Sequence, residues 1–342
     1  MKQENINELF EKFTNQCRYV SKMSEATIVG YQSTFKLLQT INPGLTIKML
    51  TPELMTEFFK ILEKRARIVG RDKEVKIGIK SSTVATYRSK LNKFFLWLVN
   101  NEYLKTNPFD TIPYPDVNYD DKKFLRKAEI EKIMAAIATR SNNLLVRKRD
   151  MAMFYTMLYC GLRKGEIIGL KVYNINLELR ELTVAAETSK SKTTRIIPIN
   201  QELITLFKDY LAERKKHNYQ TPCLFVSNNK DAGITFSGLK HCVDEIKKLS
   251  GINFHPHQFR HTFAVNMLNN HSDIAKLKQL MGHRDIRMTA SYLRCLPTEC
   301  MREDVESLSL SRMCFRYFKS DSEDVYQSAP ASAQKKQPNK LW

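Results

Sequence analysis

The sequence holds no run of about 18 uninterrupted apolar residues and no apolar run behind a basic start. The first absence argues against a membrane-spanning helix and the second against a secretory leader, so the chain is expected to stay in the compartment where it is made. Cysteine follows no framework. The seven residues Cys17, Cys160, Cys223, Cys242, Cys295, Cys300 and Cys314 are odd in number, scattered and free of any close C-x-x-C pair. Such a set fits neither a disulfide scaffold nor a zinc site, and a reducing cytoplasm is the expected location. No internal repeat is apparent. Acid is the scarcer charge: 36 Asp and Glu face 55 Lys and Arg, leaving a net charge of +19. That excess is more than solubility requires and points to a polyanionic partner, nucleic acid before all others. A membrane binder would gather its basic residues on one amphipathic helix or beside an apolar span, and neither is visible.

At 342 residues, two domains are the better expectation. The first hundred or so residues read as helices. Leu9, Phe10 and Phe13 mark one, and another runs near Thr27 to Leu38. Thr51 as N-cap and Pro52 at the first helical position announce a third, striped by Met55, Phe58, Phe59 and Leu62. From Thr83 to Leu98, Val84, Tyr87, Leu91, Phe94, Phe95 and Leu98 recur at helical steps, with Arg88, Lys90 and Lys93 mostly between them. These stripes are the core of a bundle whose polar sides are basic. Pro108, Pro113 and Pro115 fall in a stretch of little periodicity, Asn107 to Asp121, which reads as an extended connector.

Beyond it, Phe124 to Ala138 looks helical, and the apolar segment Asp150 to Tyr159 is closed by Gly161, a C-cap signal. The one convincing β signal is a hairpin, Leu182-Thr-Val-Ala and Arg195-Ile-Ile-Pro-Ile, around the polar stretch Glu187 to Thr194. Helices resume over Leu203 to Lys215, Phe236 to Leu249, Thr262 to Leu268 and Ile274 to Met281. After Ser320, Ser, Ala, Pro, Gln and Lys dominate, the composition of a disordered tail. The expected division is residues 1–110 helical, 111–122 linker, 123–319 a second domain and 320–342 tail.

Four separated segments carry chemistry: Cys160-Gly-Leu-Arg-Lys-Gly-Glu166, Lys190 in the hairpin turn, His257-Gln-Phe-Arg260-His261, and Gly282-His283 followed by Tyr292. Attack on a phosphodiester adds charge to non-bridging oxygens, and arginine's planar fork meets that charge with parallel hydrogen bonds. Arg163 and Arg260 would form such a clamp. A phenol can attack phosphorus and still leave when a DNA hydroxyl returns, which makes Tyr292 the candidate nucleophile. Lys190, on a mobile turn, would protonate the departing sugar oxygen. His257 and His283 would donate to phosphate oxygens or handle the tyrosine's proton, and Glu166, one turn beyond Arg163, would hold an arginine or histidine in place. No metal or other cofactor is required by this design. His261 is read as structural, and Tyr155 and Tyr159, in an apolar segment, as core aromatics.

Taken together, these segments resemble the tyrosine recombinase (phage integrase) family: arginine in a Gly-Leu-Arg-x-x-Glu turn, a hairpin lysine, His-x-x-Arg, a late Gly-His, and a tyrosine nine positions after that histidine. Arg195 with Pro198 resembles the second strand of the family's hairpin. The match spans most of Phe124 to Leu296; the N-terminal helices look like the family's core-binding domain by shape and position. The turn lacks the glycine that usually flanks the lysine, so Lys192 stands beside Lys190 as a candidate, and Met281 replaces a commoner leucine.

The resemblance implies a mainly α protein: an N-terminal helical bundle (a SAM-like core-binding domain) plus a mostly helical catalytic domain with a small antiparallel β-sheet. It implies a C-shaped clamp on double-stranded DNA, a 3′-phosphotyrosyl intermediate, strand exchange in a homo-tetramer on synapsed sites, and service to a mobile element. Accessory DNA-bending proteins are left open. The bundle begins almost at residue 1, so no additional arm-site domain is expected. Met301 to Phe318 would pack on a neighbouring subunit. The competing readings are a type IB topoisomerase and a catalytically idle DNA-binding protein.

Overall fold

The computed structural model describes residues 5–69, 74–117, 123–189 and 193–296, together with Arg302. The chain forms two compact units that divide between Asp120 and Asp121. Each is mostly helical and carries one small antiparallel sheet.

In the first unit, helices α1 (Ile6–Asn15), α2 (Glu25–Ile41), α3 (Pro52–Lys64) and α4 (Ser81–Asn100) enclose an aromatic core. Their starts follow local chemistry. The side chains of Asn5, Ser24 and Thr51 accept from backbone N–H groups that the first turns of α1, α2 and α3 leave without partners. Phe10 stacks on Phe35 at 4.0 Å and meets Phe94 edge-on at 5.0 Å, so three helices are tied through one ring cluster.

Between α3 and α4 lies a hairpin, β1 (Ala66–Val69) and β2 (Glu74–Ile77), where helices alone are expected from the sequence. Arg67 pairs with Lys76 and Ile68 with Val75, a two-residue alternation of charge and apolar groups. Ile68, Val75 and Ile77 are all exposed, so no buried stripe advertises these strands.

Residues 107–117 hold no helix or strand. Phe109 is nonetheless buried in the first unit's core. Arg88, expected on a basic helix face, is half-buried and turns toward this segment instead. It donates to the carbonyls of Phe109 (3.2 Å) and Ile112 (2.5 Å), and its guanidinium sits over the rings of Phe109 and Tyr114.

The second unit begins with α5 (Lys127–Thr139) and α6 (Leu144–Cys160). Helix α6 is buried on nearly all sides and packs against two later helices, α8 (Gln201–Lys216) and α10 (Pro256–Asn269). Between α6 and α8 come α7 (Lys164–Gly169) and the strands β3 (Ile175–Asn176), β4 (Glu181–Val184) and β5 (Arg195–Pro198), paired antiparallel in that order. Leu182, Val184 and Ile197 point into the core while Ile196 faces out, the period-2 pattern visible in the sequence. Strand β3, only two residues long, adds an edge that no periodicity signals. Helices α9 (Phe236–Ser250), α11 (Ile274–Met281) and α12 (Arg287–Ala290) complete the unit.

Helix α10 starts at Pro256 rather than at Thr262. Proline suits the first helical position, and the Gln258 side chain accepts the backbone N–H of His255 at 2.9 Å. The front half escapes an apolar-stripe reading because it carries His257, Gln258, Arg260 and His261, yet that half builds the site.

Candidate active site

Helix α6 ends at Gly161, whose φ of 58° and ψ of 30° is the left-handed geometry that glycine adopts without strain. The reversal puts Arg163 at the N-cap of α7 and Glu166 in its first turn. The Glu166 carboxylate accepts from the Arg163 backbone N–H and from Arg163 Nη1, both at 2.9 Å. It also accepts from Arg195 on β5, Nη1 at 3.1 Å and Nη2 at 2.7 Å. Burial pushes the Glu166 carboxyl upward, but hydrogen bonds and charges from Arg195 and Arg163 outweigh that and hold it below its ordinary value.

Three arginines converge on the end of α11. Arg195 Nε donates to the carbonyl of Leu280 (2.8 Å), Arg260 Nη2 to that of Met281 (2.8 Å) and Arg163 Nη2 to that of Gly282 (3.2 Å). These consecutive carbonyls belong to a helix end closed by Gly282 in the left-handed region, where carbonyls lack helical partners and the dipole favours cations. Arg260, 1% exposed, also donates to the Gly161 carbonyl at 2.6 Å. Burial, then the neighbouring Arg163 guanidinium, lower its pKa to about 9, which leaves it charged at neutral pH.

His283 follows Gly282 and is buried. Its Nε2 lies 2.9 Å from Arg260 Nη2 and its Nδ1 lies 2.8 Å from Thr289 Oγ1. Guanidinium only donates, so Nε2 accepts, and the ring proton sits on Nδ1, facing the threonine. Tyr292 follows the short helix α12 and is 2% exposed. Its ring packs among Phe263, Leu268, Leu277 and Met281 and lies parallel to the His283 ring at 6.5 Å. Burial raises its hydroxyl to about 12, against the pull of Arg260 and Arg163. The hydroxyl meets His261 Nδ1 at 2.8 Å. His257, exposed in the first turn of α10, sets its ring against that of His261 at 4.7 Å.

Arg163, Glu166, Arg260, His283 and Tyr292 are therefore brought together, with His257 at their exposed margin. Lys190 and Lys192 lie outside the described residues, as do the tail after Ser320 and Met301 to Phe318 apart from Arg302. Three participants escape the sequence reading: Arg195, seen only as part of a strand; His261, taken as structural; and Thr289. Arg195 had a signal, since alternation with Ile197 turns it inward, and a buried cation requires an anion such as Glu166. Tyr159 donates its hydroxyl to Glu202 at 2.7 Å and pairs with the Tyr155 ring on the core's edge. Beside Arg195 and His283 opens a cavity of about 670 Å³, also bordered by Thr194, Lys278, Gln279 and Arg284. Among the described residues, no three His, Cys, Asp or Glu side chains gather as a metal site, no helix is long and apolar enough to cross a membrane, and Cys17, Cys160, Cys223 and Cys242 form no disulfide.

Residues 123–299 match the profile of the phage integrase family, and residues 5–117 match that of the phage integrase SAM-like domain. The tyrosine recombinase XerC of Leptospira interrogans is 26% identical over 294 residues, covering 85% of this chain and 89% of its own. XerC of Actinobacillus succinogenes is 28% identical over 287 residues, covering 82% and 90%. Among solved structures, the XerH site-specific recombinase bound to a palindromic difH substrate superposes with a TM-score of 0.68 at 19% identity, covering 87% of this chain and 84% of that one. The Tn1549 transposon integrase in complex with transposon right end DNA gives 0.67 at 20%, covering 89% and 99%. At such identities the structures establish the fold.

Proposed function

The chain belongs to the phage integrase family of tyrosine recombinases, and on that footing we propose that it breaks and rejoins double-stranded DNA through a 3′-phosphotyrosyl link at Tyr292. Arg163 and Arg260 grip the non-bridging oxygens of one phosphate and neutralise the charge that grows as phosphorus is attacked. Glu166, itself fixed by Arg195, holds Arg163 in place, and His283 with Thr289 braces Arg260. His257, on the exposed side, donates to the phosphate. Lys190, or Lys192 beside it, protonates the departing 5′ oxygen. These side chains supply the positive charge and the proton transfers, so the scheme calls for neither metal nor ATP. Homo-tetramers on paired DNA sites then exchange the strands, as in synapsis by recombinases.

The observation that carries this reading is the delivery of Arg163 and Arg260 to the adjacent carbonyls of Gly282 and Met281, with Tyr292 close enough to feel both charges. Two guanidiniums so placed repel each other and gain from an anion between them.

The test uses nicked suicide duplexes cut from the DNA that flanks the encoding gene, with EDTA present. The expected result is a covalent protein–DNA adduct that Tyr292→Phe abolishes. An adduct that survives Tyr292→Phe would overturn the nucleophile, and rapid relaxation of supercoils without joined products would return the topoisomerase reading.

A further inference from the structure

We infer that His261 accepts the phenolic proton of Tyr292 as the tyrosine attacks phosphorus and returns it when the strand is rejoined. The inference rests on Tyr292 being the nucleophile, and it assigns a catalytic role to a residue whose sequence position suggests only packing.

Geometry comes first. His261 Nδ1 stands 2.8 Å from the Tyr292 hydroxyl, within the reach a general base requires. The other two imidazoles are placed differently. His283 spends Nε2 on Arg260 and Nδ1 on Thr289, so taking a proton at Nε2 would cost the Arg260 contact. His257 is exposed, while His261 is partly buried between the His257 ring and the phenol, whose centroids lie 4.7 and 5.5 Å away.

Need comes second. A tyrosine hydroxyl is protonated at neutral pH from the outset, and burial raises that of Tyr292 further, to about 12. A protonated phenol is a poor nucleophile, and a base in contact with its proton removes that obstacle as the bond to phosphorus forms. The fold meets this need economically. Arg260 and His261 are neighbours on α10: the former points toward Gly161 and Met281, the latter around the helix to Tyr292. One rigid helix thus fixes the phosphate-gripping cation and the proton acceptor relative to each other.

The step balances. A lone pair of Tyr292 Oη makes the bond to phosphorus while its proton passes to Nδ1. The bond from phosphorus to the 5′ oxygen breaks, its electron pair leaves with that oxygen, and the acid assigned to Lys190 supplies the proton. Rejoining runs each transfer backward, with Nδ1–H protonating the departing phenolate.

The test compares His261→Asn and His261→Gln, whose amides hydrogen-bond yet take no proton, in the full-length protein on the nicked suicide duplex. Each is made with tyrosine at position 292 and with the more acidic difluorotyrosine incorporated there. DNA affinity, measured in parallel, reports that the fold is kept in at least one variant. The expected outcome is cleavage slower by about 100-fold or more with tyrosine, and a penalty about tenfold smaller or better with difluorotyrosine. A penalty that fluorination leaves unchanged would mark His261 as structural and overturn the assignment, as would wild-type rates in both variants. A wild-type chain that forms no adduct at Tyr292 is a separate result, which sinks the recombinase reading as well.

Discussion

The Glu166 carboxylate and the Arg195 guanidinium meet as two forks, Oε1 with Nη1 at 3.1 Å and Oε2 with Nη2 at 2.7 Å, both residues being buried. Because Glu166 also holds Arg163, removing it would leave two largely buried guanidiniums without their shared carboxylate. Glu166→Ala should therefore destabilise the second unit by about 3–5 kcal/mol in urea unfolding. Glu166 also titrates below its ordinary value of 4.5, so its stabilising contribution is present above that value and lost as pH falls through the lower folded value. In that window the unfolded chain binds more protons than the native one, and stability rises with pH. Stability of the wild type should fall more steeply below about pH 4.5 than that of Glu166→Gln. Parallel pH profiles would remove Glu166 from the account.

Features set by neighbouring residues were legible in the sequence. Thr51 with Pro52 opens α3, Gly161 closes α6, and Leu182 with Ile197 marks the buried face of the sheet, because caps and periodicities act over a few positions. The site's support was hidden because it is made across the chain: Arg195 finds Glu166 29 positions away, and His261 finds Tyr292 31 positions away. The first-unit hairpin was hidden for the opposite reason, since its apolar side chains contact solvent and leave no one-sided pattern.

Thr289 is predicted to stabilise the second unit by satisfying the His283 ring donor. The hydroxyl accepts from Nδ1, and Arg260 occupies Nε2. Thr289→Val keeps the shape but strands a buried ring donor, because Arg260 holds the proton on Nδ1, at a cost of about 1–3 kcal/mol in urea unfolding that Thr289→Ser should largely avoid. Histidine nitrogen NMR should show Nδ1–H kept in both variants. Equal stability of the valine variant and the wild type, or Nε2–H in the valine variant, would refute this.

Gly161 combines two demands that alanine cannot meet. Its φ is 58°, and an added Cβ would lie 2.3 Å from Phe263 Cδ1. The left-handed backbone costs a residue with a Cβ about 1–2 kcal/mol, and the overlap about 1–3 more. Gly161→Ala should lose at least ~2 kcal/mol in urea unfolding, and in a Phe263→Ala background, which removes the ring, the same substitution should cost less by the steric share alone. No cost at all in that background would show that the backbone carries no strain.

Arg88 is predicted to anchor the segment from Phe109 to Tyr114 to the first unit. Phe109 to Tyr114 has no sheet or helix to hold it; two carbonyls resting on one guanidinium, and two rings flanking it, take that place. Hydrogen bonds to a charged group are worth about 1.5–3 kcal/mol each, and the flanking rings add cation–π attraction. Lysine, lacking the planar fork, cannot reach both carbonyls and stack at once. Limited proteolysis should therefore cut between Phe109 and Tyr114 about 100-fold faster or more in Arg88→Ala, equivalent to about 3 kcal/mol of easier local opening, with Arg88→Lys close to alanine. Buried Phe109 guards against a trivial result, because cleavage there requires the segment to lift from the core rather than merely lose a surface contact. If the alanine and wild-type chains are cut at equal rates, ring packing alone anchors the segment and Arg88 is dispensable to it.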